Sequence, residues 1–220
     1  MSRKTTFSIE ENYHIYSRGH DKRLIFQNEK DYNRFLAIMY LCNNTENIHL
    51  SDHPSSTLSE LLDIKRKDQL VDIGAYCLMP NHFHLLIHEK TESGISKFMQ
   101  KILTAYTMYF NKKNERAGTL FSSSFKANHV DKDEYLKYLF SYIHLNPIKL
   151  MEPKWKETGI SNKKGAEAFL NSYSYSSFPD YTNQERKQKN ILNKEAFPKY
   201  FENIKEFKDF MGAWLSFPHA

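Results

Sequence analysis

Two histidines one residue apart, His82 and His84, sit in the run Tyr76-Cys77-Leu78-Met79-Pro80-Asn81-His82-Phe83-His84-Leu85-Leu86-Ile87-His88. Aliphatic and aromatic residues crowd this run as they do in a buried strand. Side chains alternate along a strand, so His82 and His84 share one face while Phe83 and Leu85 take the other. Two neutral imidazoles on one face are half of a ligand set for a divalent ion. Tyr142 and Asn146, at i and i+4, share one side of a helix. The Asn146 amide oxygen could complete the set. A tyrosine beside such an ion can attack a phosphodiester, because the ion polarises the phosphate; the phenol, with an ordinary pKa of about 10, also needs a nearby positive charge or base. Tyr138 shares that helix side at i−4, so spacing alone leaves both tyrosines open. His88 lies too far along the strand to share the ion, and His144 faces elsewhere on the helix.

The elements that must carry these residues follow from periodicity. Asn12 to Ser17 alternates as a first strand and runs into the loop Arg18-Gly19-His20-Asp21-Lys22-Arg23. Asn28 to Asn43 reads as a helix, with Asn28 as its cap and Phe35, Ile38, Met39 and Cys42 at helical spacing. Asn44 to Lys67 is a polar excursion with a breaker at Asp52 to Ser56 and a short helix over Leu58 to Ile64. Gln69 to Met79 and Phe83 to His88 are strands joined through Pro80-Asn81, where Pro80 removes a ladder donor. A helix from Ile95 to about Lys112 follows, then a strand-like segment over Thr119 to Val130. A last helix runs from Tyr135 to about Leu145 and stops at Asn146-Pro147. Strand, helix, strand, strand, helix, strand is the ferredoxin-like βαββαβ order of an α+β fold, with the tyrosine-bearing helix added.

Met151 to Ala220 forms a basic and aromatic C-terminal appendage, with a charged linker at Gln184 to Asn190 and amphipathic helical character from Ile191 to Trp214. The division expected is therefore 8–150 and 151–220. A net charge of +5 and an aromatic fraction of 15% suit a surface that meets a polyanion and stacks on bases. Arg18, His20, Lys22, Arg23 and Lys126 are the candidate phosphate contacts. Cys42 and Cys77 lack metal-ligand spacing and read as reduced core thiols, the N-terminus lacks an apolar leader, and no apolar run reaches spanning length. These features point to a cytoplasmic protein without membrane contact.

His82-Phe83-His84 after Met79-Pro80-Asn81, then Leu120-Phe121, Phe125-Lys126-Ala127, Asp133-Glu134-Tyr135-Leu136 and Tyr142-Ile143-His144-Leu145-Asn146-Pro147, resemble the HUH-class (His-hydrophobic-His) single-tyrosine transposases, and most closely their REP-associated branch. Tyr173-Ser174-Tyr175-Ser176-Ser177-Phe178 resembles that branch's aromatic-Ser-Ser-aromatic element. The chain differs in its long 44–67 excursion and in Ser122-Ser123-Ser124 before Phe125-Lys126. The resemblance implies a bacterial, nucleoid-acting endonuclease and strand transferase for single-stranded, hairpin-containing DNA. It assigns Tyr142 as the nucleophile that forms a 5′-phosphotyrosine, and His82, His84 and Asn146 as ligands of Mg²⁺ or Mn²⁺. A monomer or a homodimer is compatible with it. The alternative is a non-catalytic hairpin-DNA or RNA binding protein on the same fold.

Overall fold

The computed structural model describes residues 6–216; the polar start before Thr6, on which the leader reading partly rests, lies outside them. Four antiparallel strands, β1 (Asn12–Arg18), β2 (Val71–Met79), β3 (His82–Glu89) and β4 (Lys126–Val130), form one sheet in the order β2-β3-β1-β4. That is the ferredoxin-like order expected from the sequence. The turn at Pro80-Asn81 joins β2 to β3 with Met79 opposite His82, and the central pairing sets Tyr16 opposite His84 and Arg18 opposite His82.

Period-two alternation divides the strands between two faces. Tyr13, Ile15, Phe83, Leu85 and Ile87 bury against α1 (Glu29–Cys42) and α3 (Gly94–Lys113). The Asn28 side chain accepts the Asp31 N–H and caps α1, meeting one of the orphan donors of its first turn. The excursion between α1 and β2 folds back onto this core: α2 (Leu58–Leu61) opens with a Thr57/Glu60 capping box, and Leu61 and Leu62 are buried. On the opposite face Cys77, Met79 and Leu86 meet Leu136, Leu139, Phe140 and Ile143 of α4 (Asp133–Leu145). His82 and His84 open onto this second face.

The C-terminal segment packs on the same face. It comprises α5 (Trp155–Thr158), α6 (Lys163–Ser172), α7 (Phe178–Tyr181) and α8 (Ile204–Ser216). Trp155, Leu170, Phe178, Phe207 and Met211 are buried with the α4 residues. Its aromatic-Ser-Ser-aromatic element lies along β2: Leu78 N–H donates to the Tyr175 carbonyl at 2.9 Å, and Ser177 N–H to the Tyr76 carbonyl at 2.9 Å. An otherwise open sheet edge is thereby covered.

Two expectations about element extent are corrected. The strand read over Thr119 to Val130 is regular only from Lys126, because Ser122 to Ser124 lack apolar alternation and stay exposed while Phe121 and Phe125 anchor a loop. The segment 184–190 is pinned to the body and does not act as a free linker: Arg186 pairs with the buried Asp180, and Lys187 with Asp63 at 2.8 Å.

Candidate active site

β3 presents His82 and His84 side by side, with ring centroids 5.0 Å apart. A hydrogen-bonded partner holds each at Nδ1. The Asn81 amide is oriented by its own donation to the Lys22 carbonyl at 3.2 Å, so its Oδ1 faces His82 Nδ1 at 2.6 Å and accepts the proton there. His84 Nδ1 lies 2.9 Å from Nε2 of His14, which comes from β1. With Nδ1 engaged, His82 keeps an Nε2 lone pair, and His84 does the same when it donates to His14. Outer partners of this kind fix the tautomer of metal-bound histidines.

Burial, followed by the charges of Arg18 and Lys149, pushes His82 down to about 4. Burial also takes His84 well below its ordinary 6.5, with the His14, His82, Lys149 and Lys156 charges adding to it. Both imidazoles are therefore neutral near pH 7, the state that ligation requires.

The added helix α4 brings Tyr142 to this pair. Its ring is edge-on to His84 at 5.2 Å and to His14 at 6.0 Å. Tyr138 is one turn back, stacked on Tyr142 at 6.0 Å and 37% exposed. Geometry thus separates two tyrosines that spacing left equivalent. Burial raises the Tyr142 phenol above 10, and the neighbouring Asn146 amide partly offsets that rise.

Asn146 keeps α-helical dihedrals before Pro147 and is 1% exposed. Both of its amide atoms are buried and neither reaches hydrogen-bond geometry with a partner, although the amide lies close enough to the Tyr142 phenol to act on it. A buried amide left unpaired costs about 1–3 kcal/mol and calls for an explanation, ligation of an ion among them. Among the described residues no group of three or more His, Cys, Asp and Glu side chains is placed to hold a metal ion. A third protein ligand for a metal would then be of another type, and the Asn146 oxygen beside Tyr142 is a donor of that kind. His144 behaves differently: its Nδ1 donates to the Phe140 carbonyl at 3.0 Å and its Nε2 accepts from Ser177 Oγ at 2.8 Å, so it is a satisfied core residue. His88, half-buried at the strand end, meets Asn12 Oδ1 at 3.3 Å.

The basic candidates divide by position. Arg18 is exposed beside His82 across the β1–β3 ladder, and Lys126 is exposed opposite Tyr16 at the start of β4. Lys22 is exposed and supplies the carbonyl that orients Asn81. His20 is paired with Asp21 at 2.8 Å, and Arg23 donates to the His20 carbonyl at 3.0 Å. That loop therefore buttresses His82 through Asn81.

Three residues at the site escape motif reading: His14, Lys149 and Lys156. The β1 alternation places His14 opposite Tyr13 and Ile15, which was its only available signal. The lysines stand over the Tyr142 ring, with Nζ of Lys156 4.3 Å and Nζ of Lys149 5.9 Å from its centroid.

Residues 9–146, more than half of the chain, match the family described as "Transposase IS200 like". The chain belongs to that family. Among solved structures, this IS200-like transposase is similar to a REP-associated tyrosine transposase bound to a REP hairpin: 11% identity, 92% of this chain and 100% of that chain covered, TM-score 0.51. At that identity the likeness is one of fold, and it extends over the C-terminal segment as well as the sheet. A tRNA(His) guanylyltransferase from Saccharomyces cerevisiae matches at 9% identity over 89% of this chain and 82% of that one, with a TM-score of 0.36. No curated protein matches by sequence. No helix among the described residues is long and apolar enough to cross a membrane.

Proposed function

We propose that this IS200-like transposase is a metal-dependent single-stranded DNA endonuclease and strand transferase that attacks a phosphodiester with Tyr142, at or near a DNA hairpin. The observation that carries the reading is the Tyr142 ring set edge-on to His84, beside an Asn146 amide buried without a partner. His82 and His84 through Nε2 and Asn146 through Oδ1 would hold Mg²⁺ or Mn²⁺. When bound, the ion supplies Lewis-acid polarisation of the scissile phosphate and offsets its developing charge.

The protein's own groups do the rest. Asn81 and His14 hold the two imidazoles in register. Tyr142 Oη bonds to phosphorus as the bond from phosphorus to the 3′ oxygen breaks. The phenol proton is balanced by the one that the released 3′-OH carries, and the product is a 5′-phosphotyrosine. One phosphoester replaces another, so rejoining needs no external energy source. Tyr142 and both histidines belong to one chain, so a monomer can assemble the site. Arg18, Lys22 and Lys126, exposed along the same sheet end, would meet the backbone of the bound strand, with His20 and Arg23 in the same loop. The covered structural neighbour carries a hairpin, which supports hairpin-containing DNA as the partner.

The experiment is incubation with labelled single-stranded hairpin DNA from the gene's flanks in Mn²⁺, followed by a denaturing gel. A covalent adduct that vanishes in Tyr142→Phe and in EDTA is expected. Tight binding with no adduct in any divalent ion would favour a non-catalytic DNA-binding protein.

A further inference from the structure

Lys149 follows α4 in the turn Asn146–Leu150, and Lys156 opens α5, yet both ammonium groups converge on Tyr142. Both side chains are half-buried. Glu152, midway between them in sequence, is turned away to accept the Ser161 N–H at 3.0 Å, and among the described residues no carboxylate forms an ion pair with Lys156. Its strongest charged neighbour is Lys149, and burial together with that like charge pushes Lys156 down to about 8. The charges of both lysines also bear on His84.

Two cations held together, partly desolvated and uncompensated, repel each other. An anion bound beside both would relieve that repulsion. The neighbouring groups are a phenol and neutral imidazoles, so none of them supplies that negative charge. The phosphate that Tyr142 attacks would.

We infer that Lys149 and Lys156 form an anion-binding pair that grips the scissile phosphodiester and the Tyr142 oxygen as it becomes charged. This rests on the tyrosine reading above and deepens it, since it names the source of the positive charge that a phenol needs. Lys156, the nearer of the two, carries the larger share. It lies over the ring face, so its ammonium attracts the phenolate more strongly than the neutral phenol, and it acts mainly on the rate. No bond to lysine forms or breaks.

Two measurements test the pair and keep it separable from the tyrosine reading. The first is calorimetric titration of the metal-free full chain with inorganic phosphate. Affinity is expected to fall about 10-fold in the Lys149→Met/Lys156→Met double variant, as for loss of two charge-assisted contacts. Equal affinity in both proteins, or no binding to either, overturns the pair. The second is the rate of adduct formation with the hairpin DNA. Lys156→Met should slow it about 100-fold at saturating DNA with little change in the half-saturating concentration, whereas Lys156→Arg should stay within about 10-fold of wild type because the charge is kept. Lys154→Met, which removes a neighbouring exposed charge, should leave the rate unchanged. An undiminished rate in Lys156→Met overturns the role on phosphate whatever the titration shows. If the wild type forms no adduct, the tyrosine reading falls, and the phosphate titration alone decides for or against the pair.

Discussion

The two faces of the sheet are built from the same strands and meet opposite demands. Toward α1 and α3, Phe83, Leu85 and Ile87 are fully buried among apolar side chains such as Phe35, Phe98 and Ile102. Toward α4, the alternate residues His82 and His84 are held neutral by burial, the buried Asn146 amide reaches no hydrogen-bond geometry, and two half-buried lysines stand over the Tyr142 ring. A strand with period two can thus serve as core on one side and as site on the other. The solid face must offset the polar burial that the working face leaves uncompensated, which is the usual relation between a stable scaffold and a destabilised site.

Substitutions on the two faces should therefore separate. Phe83→Ala is expected to lose about 3–5 kcal/mol of unfolding free energy in urea, the cost of emptying a packed aromatic site. A loss below about 1 kcal/mol would break the comparison. Ser177→Ala tests the edge lock, because Ser177 Oγ accepts the Tyr76 N–H at 2.9 Å and contacts His144. Leaving those buried groups unpaired should cost about 2 kcal/mol, read from the same denaturation curves.

Acid should act mainly through buried histidines. His14 is pushed down by burial to about 4, His82 by burial and nearby charge to about 4, and His144 by burial to about 3. Below about pH 6.5 the unfolded chain takes up protons that these folded sites refuse. Stability is then full above 6.5 and falls with pH down to the folded values, by roughly 1.4 kcal/mol per pH unit for each group. His144→Leu should remove one such increment of slope between about pH 6 and pH 4 in urea melts at stepped pH; an unchanged slope would contradict the assignment of His144 as neutral.

How much of this was legible in the sequence depends on the range of the contacts. Local periodicity sufficed for the strand faces of β3, for the three long helices around the sheet and for their order. Tyr142 and Asn146 were readable as a pair because i and i+4 is a local relation. The choice of Tyr142 over Tyr138 needed the packing of α4 on β3, which spacing does not encode. His14 was hidden because its partner, His84, is reached only through the β1–β3 register. Lys149 and Lys156 were hidden because the turn after Pro147 and the short α5 fold them back onto the helix they follow. The strand over Thr119 to Val130 was overread because Leu120, Phe121 and Phe125 are apolar anchors of a loop, and their spacing does not distinguish that from a strand.

The smallest predicted change in stability is of opposite sign. Asn146→Leu replaces a buried, unpaired amide with a side chain of similar shape and should raise unfolding free energy by about 1 kcal/mol, while abolishing Mn²⁺-dependent adduct formation. A loss of stability would mean that the amide has a partner in the folded protein.

The most direct test of the central claim is to locate the covalent bond. After reaction with single-stranded hairpin DNA, nuclease trimming and trypsin digestion, the peptide running from Tyr138 to Lys149 contains both candidate tyrosines. Tandem mass spectrometry should place the nucleotide on Tyr142 and leave Tyr138 unmodified. A nucleotide on Tyr138, or on a residue outside that peptide, would contradict Tyr142 as the nucleophile.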